Sequence, residues 1–216
     1  YLGCSQPGTV YLPDNSFFPG AVVTGSCFLV GVTNLARDSL TISNAFVQLE
    51  DGAALTVTSG LTIAGAASAS VPAGRLVLRE NARLSAGSLA VGSGGIVWLQ
   101  AGESADLATT PGLSVQVQGD VSIATNGTLY SFSHWTNGGS AWFTVGNLTV
   151  AAGAQFNVDG MGYAGGYYGC AARDAPTRLL ARGKGPGGGY VTDWVGGGGG
   201  YGGVGGPATL GGPIYG

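Results

Sequence analysis

Short triplets of the form apolar–any–apolar recur along the middle of this chain. They include Leu40-Thr41-Ile42, Val47-Gln48-Leu49, Leu55-Thr56-Val57, Leu61-Thr62-Ile63, Leu76-Val77-Leu78, Leu89-Ala90-Val91 and Val97-Trp98-Leu99, followed by Val115-Gln116-Val117, Leu148-Thr149-Val150 and Phe156-Asn157-Val158. Alternation with period two predicts strands whose outer pair faces a core and whose middle residue faces solvent. Val, Ile, Thr, Leu and Ser dominate, and glycine interrupts the apolar runs every few residues, which excludes long helices.

Like triplets return at a long interval. Leu40 to Leu61, Leu55 to Leu76 and Leu76 to Val97 are each 21 residues, and Leu61 to Leu84 is close to that step. A fixed return of this length predicts a solenoid. About three short strands fill each coil, with turns such as Asp51-Gly52 and Ser93-Gly94-Gly95 between them. A strand that cannot bury its apolar face alone does so by stacking on its equivalent about 4.8 Å away. A meander or sandwich would place turns every 8–12 residues without that return. The expectation is an all-β fold, a right-handed parallel β-helix of about 21 residues per coil, right-handedness being the rule for parallel crossovers.

Three segments follow. Residues 1–38, rich in Pro, Gly and aromatics, form an N-terminal cap or assembly segment, and residues 39–160 form the β-helix. Residues 129–145 carry Tyr130, Phe132, His134, Trp135, Trp142 and Phe143 around Asn137-Gly138-Gly139 and read as an inserted loop or hairpin. Residues 161–216 form a glycine- and tyrosine-rich irregular tail. From Gly160 onward 57 residues hold 22 of the 43 glycines, so ordering this tail carries a high entropy cost unless it lies against a neighbour.

The runs from Gly87 to Val97 (GSLAVGSGGIV) and from Gly146 to Gly160 (GNLTVAAGAQFNVDG) resemble coils of right-handed β-helix surface proteins of the adhesin and autotransporter-passenger type. The tail, from Gly196 to Gly206 and again from Gly211 to Gly216, resembles glycine-rich segments of large β-helix surface proteins. Together these cover residues 39 to 216. The resemblance implies a scaffold used for adhesins and surface fibres, and less often for polysaccharide-active enzymes. Its motifs encode a fold and no particular activity.

Charged residues make up only 9% of the chain against 44% hydrophobic, far below the ~25% charged of ordinary globular proteins. A surface so poor in ions resists self-association weakly. The net charge is -3 and Lys184 is the only lysine, so nucleic acid is excluded as a partner. No apolar stretch reaches the ~20 residues needed to span a bilayer. The chain begins at Tyr1 without a charged, apolar leader, as expected after signal-peptide removal or in a fragment, and a secreted or cell-surface location is expected.

Candidate chemistry is sparse. A Ser–His–Asp triad would have to use His134, the only histidine, and no nucleophile-elbow sequence accompanies it. The cysteines at 4, 27 and 170 are too scattered for zinc. Gly183-Lys184-Gly185-Pro186-Gly187 lacks the hydroxyl residue of a phosphate loop. No metal, cofactor or catalytic residue is therefore assigned. The enzymatic rival, a polysaccharide-cleaving β-helix, would draw on Glu80, Glu103, Asp106 and Asp120 with Arg79 and Arg83, although no two of these stack at the 21-residue step. An ice-binding threonine array would begin at Thr41 and Thr62 but meets a charge near Arg83.

The remaining candidates concern assembly and modification. A Cys4–Cys27 bridge would staple the N-terminal segment, the alternative being buried thiols, and would leave Cys170 free or paired with another chain. Asn126-Gly127-Thr128 and Asn147-Leu148-Thr149 are sequons that a eukaryotic secretory route would glycosylate. Trp98, the middle residue of its triplet, should face outward, where it could meet a sugar ring, a neighbouring chain or the chain's own loop. Trp135 and Trp142, with Tyr201 and Tyr215 in the tail, are the other candidate contacts. The expectation is an extracellular structural protein, a fibre or filament subunit or adhesin-like stalk, which self-associates head to tail, with glycans as a further candidate partner. The alternative is a carbohydrate-binding or carbohydrate-cleaving β-helix.

Overall fold

The computed structural model describes residues 9–14, 20–25, 27–65, 73–104, 111–134, 139–159, 161, 191–192 and 195–196. Two compact units divide the chain, one of residues 1–133 and 139–161 and one of residues 134–138 and 162–216. Described strands of the second unit are the short antiparallel pair β14 (Val191–Thr192) and β15 (Val195–Gly196).

The first unit is a parallel β-solenoid whose strands alternate between two sheets. In chain order they are β1 (Thr9–Leu12), β2 (Val22–Thr24), β3 (Cys27–Val30), β4 (Asn34–Ser43), β5 (Phe46–Leu49), β6 (Ala54–Ile63), β7 (Arg75–Leu78), β8 (Arg83–Val91), β9 (Ile96–Gln100), β10 (Leu113–Ile123), β11 (Thr128–Phe132), β12 (Ala141–Val150) and β13 (Gln155–Asn157). The odd strands form one seven-stranded sheet and the even strands a six-stranded sheet, each in coil order. Strands 1–3 belong to these sheets, so the solenoid begins inside the segment expected to be a separate cap. Residues 129–145 are not a projecting loop either. Leu129–Phe132 complete β11, Ala141–Val145 open β12, and only 133–140 connect them.

Two expected triplets merge in each long even strand. In β6, Leu55 and Val57 face inward, Thr58 and Ser59 both face solvent, and Leu61 and Ile63 face inward again. Three residues, Thr58 to Gly60, separate the inward runs of β6 and two, Gly87 and Ser88, those of β8, and this difference of one residue appears as the register shift between neighbouring strands at the bend. Each coil thus keeps three inward-facing runs, two in one bent strand and one in the partner sheet. Backbones crowd at the bend. A Cβ at Gly87 would collide with the Ser59 and Thr58 carbonyls, and one on Gly146 would lie 2.8 Å from the Gly119 carbonyl oxygen, so glycine recurs there.

Inward residues stack in columns. Leu40, Leu61, Leu89, Val121 and Leu148 form one, and Leu35, Leu55, Leu84, Val115 and Phe143 another. In the facing sheet Phe28, Val47, Leu76, Val97, Leu129 and Phe156 align. The 21-residue step holds for Leu40 over Leu61 and for Leu76 over Val97. It fails for Leu61, which lies over Leu89 rather than Leu84, and for Leu55, which lies over Leu84 while Leu76 belongs to the other sheet. The cause is connection length: β4 and β5 are joined by residues 44–45, whereas 64–74 join β6 to β7 and lengthen that coil.

Leu61 is fully buried in mid-column while its neighbour Thr62 faces outward. Leu61→Ala should cost about 2–5 kcal/mol, against less than about 0.5 kcal/mol for Thr62→Ala, read from urea unfolding midpoints at unchanged slope. Equal effects would contradict this assignment of faces.

Candidate functional site

The last coil ends the stack with its interior open. In β12 and β13 the columns that are sealed one coil earlier reach solvent: Val121 is 4% exposed but Leu148 above it 48%, and Leu129 is 1% exposed but Phe156 36%. Val150 and Val158 are exposed as well, while Phe143 and Val145 are half-buried. A cavity of about 150 Å³ opens here, lined only by apolar residues, among them Val121, Leu129, Phe143, Val145, Leu148 and Phe156. Phe143 and Phe156 meet edge to face across it at 5.2 Å. Both strands are the last in their sheets, so each has one edge of backbone N–H and C=O groups that no described strand pairs. Residues 141–157 contain no charge and no proline, the features that usually blunt such an edge.

At the opposite end inward-facing Leu12 and Val23 are buried, at 4% and 0% exposure, while Val10, which lies over Phe28, is 39% exposed. Arg37 takes the register position that continues through Val57 and Ala86, but it is half-buried and its Nη1 donates to the Ala36 carbonyl at 2.7 Å in an exposed contact. Asp38 follows at the bend, and its carboxylate accepts hydrogen bonds from Thr58 Oγ1 at 2.8 Å and Ser59 Oγ at 3.0 Å.

On the outer face of the odd-numbered sheet, Trp98 and Tyr130 are register neighbours. Trp98 faces outward as expected, yet it is half-buried, and its Nε1 is buried without a hydrogen-bond partner among the described residues. It meets Tyr130 at 5.7 Å and Phe132 at 5.9 Å, both edge to face. The rings therefore pack on one another rather than forming a coplanar shelf. Trp142 stands on the outer face of β12 and is 52% exposed.

The charged candidates do not converge. Asp120 sits at the bend of β10 and accepts a hydrogen bond from Asn147 Nδ2 at 2.8 Å. Arg79 Nε lies 3.3 Å from Asp51 Oδ1 without hydrogen-bond geometry, an exposed pair worth at most about 1 kcal/mol. Glu80 lies in the turn after β7, Arg83 opens β8 and Glu103 follows β9. No group of three or more His, Cys, Asp or Glu among the described residues is placed to hold a metal. The threonine column is also corrected: Thr41 and Thr62 continue through Ala90, Ser122 and Thr149, and Arg83 belongs to a different row. Cys4, Cys170, Asp106, Trp135, Lys184, Tyr201 and Tyr215 lie outside the described residues, as do the tail glycine runs apart from Gly196, so the expected Cys4–Cys27 bridge is not placed. No helix among the described residues is long and apolar enough to cross a membrane.

Both sequon asparagines do structural work. Asn126 has φ +62° in an exposed turn, and its backbone links Gly94 below to Gly153 above, both also at positive φ. The column needs left-handed backbone, which glycine and asparagine tolerate best. Asn126→Gly should leave stability within about 0.5 kcal/mol, whereas Asn126→Ala should cost about 1–2 kcal/mol, measured by denaturation of unglycosylated protein. If both substitutions behave alike, the turn does not constrain this position.

The two hydroxyl donors hold the exposed Asp38 carboxyl below its usual range, Thr58 being the larger influence and Ser59 the next. A carboxylate whose pKa falls on folding stabilises the fold above the ordinary titration range, and loses that contribution as acid protonates it in the native state. By carbon-detected NMR titration Asp38 should protonate at lower pH than an ordinary aspartate, and Thr58→Val with Ser59→Ala should move its midpoint upward. An unmoved midpoint would refute the assigned cause.

Comparison of the chain with protein-family models, with curated proteins and with solved structures gave no match.

Proposed function

We propose that this chain is an extracellular structural protein, a self-associating β-solenoid that serves as a fibre subunit or adhesin-like stalk. The supporting observation is the last coil, which presents an open apolar core and strand edges that no described strand pairs. Parallel ladders running from coil to coil make a stiff element. The low charge fits a surface that associates rather than one that stays dispersed. Secretion and a role at the cell surface fit the likeness of its coils to adhesin-type β-helices.

Negative-stain microscopy and sedimentation across a wide concentration range test this reading. Elongated particles that associate as concentration rises are expected, and compact monomers at every concentration would overturn it. A second reading, glycan binding, draws on the exposed indole of Trp142. It requires glycan-array signal that Trp142→Ala removes.

A further inference from the structure

One corner of the stack carries a chemically labile pair. Asn126-Gly127 is one of two Asn-Gly pairs in the chain. Asparagine amides are thermolabile, and most so before glycine, where no side chain shields the following backbone nitrogen. That nitrogen attacks Asn Cγ: the N–Cγ bond forms, the Cγ–Nδ2 bond breaks, and the displaced proton leaves with ammonia. Water then opens the succinimide to aspartate or isoaspartate. Asn126 is exposed to water, so its side chain is not protected by burial.

Backbone hydrogen bonds protect it instead. The attacking Gly127 N–H is buried and donates to the Ala124 carbonyl at 2.7 Å. The Asn126 carbonyl accepts from Gly94 N–H of the coil before, and the Asn126 N–H donates to the Gly153 carbonyl of the last coil, each at 3.1 Å. Gln155 N–H, also of the last coil, donates to the Gly127 carbonyl at 3.0 Å. Two of these four bonds therefore depend on a coil with one neighbour instead of two, whose Leu148, Val150 and Phe156 are exposed. Elements with few buried contacts open locally at the lowest free energy.

We infer that Asn126 is a deamidation site gated by the last coil. While β12 and β13 are docked, the Gly127 nitrogen is held on the Ala124 carbonyl and does not turn toward Asn126 Cγ. When they lift, the corner loses Gly153 and Gln155, and cyclisation proceeds from the opened state. Isoaspartate adds a methylene to the backbone and a negative charge to the corner. Asn126 then no longer bridges Gly94 and Gly153 in register, and the last coil does not close again.

Peptide mapping of the unglycosylated full chain, aged at mildly alkaline pH and at one low concentration, follows residue 126. Conversion should be at least about tenfold slower in the folded chain than in urea. Val150→Ala, inward-facing in the last coil and 42% exposed, should speed conversion of the folded chain about threefold or more. Leu148→Ala should do the same. Val10→Ala, the matched change in the first strand at 39% exposure, should leave the rate unchanged. Amide exchange at Gly127 should rise in step with conversion in the two last-coil variants. Conversion as fast in the folded chain as in urea would overturn the protection. Equal acceleration by Val10→Ala, or none by either last-coil variant, would overturn the gate.

Discussion

Register between successive coils is the constraint on which the first unit depends. A parallel ladder pairs each backbone group with the coil before and after it, and a slip of one residue would turn every Leu, Ile and Val of that strand outward. The columns through Leu40 and Leu61, and through Val47 and Leu76, fix that register by burial. Once they are fixed, the bends must also align, and crowding of backbones there selects glycine at 87, 119 and 146. Turn columns follow for the same reason, with Gly94, Asn126 and Gly153 repeating left-handed backbone at equivalent corners. Local details that look unrelated along the chain are thus consequences of one stacking rule.

The rule is satisfied only where a coil has neighbours on both sides, which makes the ends the informative places. At the early bend the Arg37 guanidinium donates to the Ala36 carbonyl and Asp38 is tied to Thr58 and Ser59. Residues 141–157 carry no charge, and Asn147 there donates to the Asp120 carboxylate of the coil before. Exposed apolar area on this scale is costly in water unless something covers it. Exposed apolar residues stand at the first strands too, with Val10, Tyr11 and Val22, and the proposed self-association would cover such surfaces.

The period-two triplets made the strands and the choice of buried residues legible in the sequence: every triplet from Leu40 to Leu99 buries its outer pair. The coil step was legible only where connections are short. The 64–74 connection lengthens one coil, and nothing in a triplet pattern reports how far a connection wanders before returning to its column. That is why Leu84 was expected over Leu61 and belongs over Leu55. Residues 129–145 misled for another reason. Aromatics around a glycine cluster suggest an excursion, yet Leu129, Phe143 and Val145 keep the alternation of the core and the excursion is confined to 133–140.

The open end was hidden from the sequence because it is a property of the stack rather than of any residue. Leu148-Thr149-Val150 has the same apolar–polar–apolar pattern as Leu61-Thr62-Ile63, and nothing local distinguishes a strand with two neighbours from a strand with one. The edge strands at both ends, β1, β2, β12 and β13, are alike without charge, so the charge pattern does not separate the ends either.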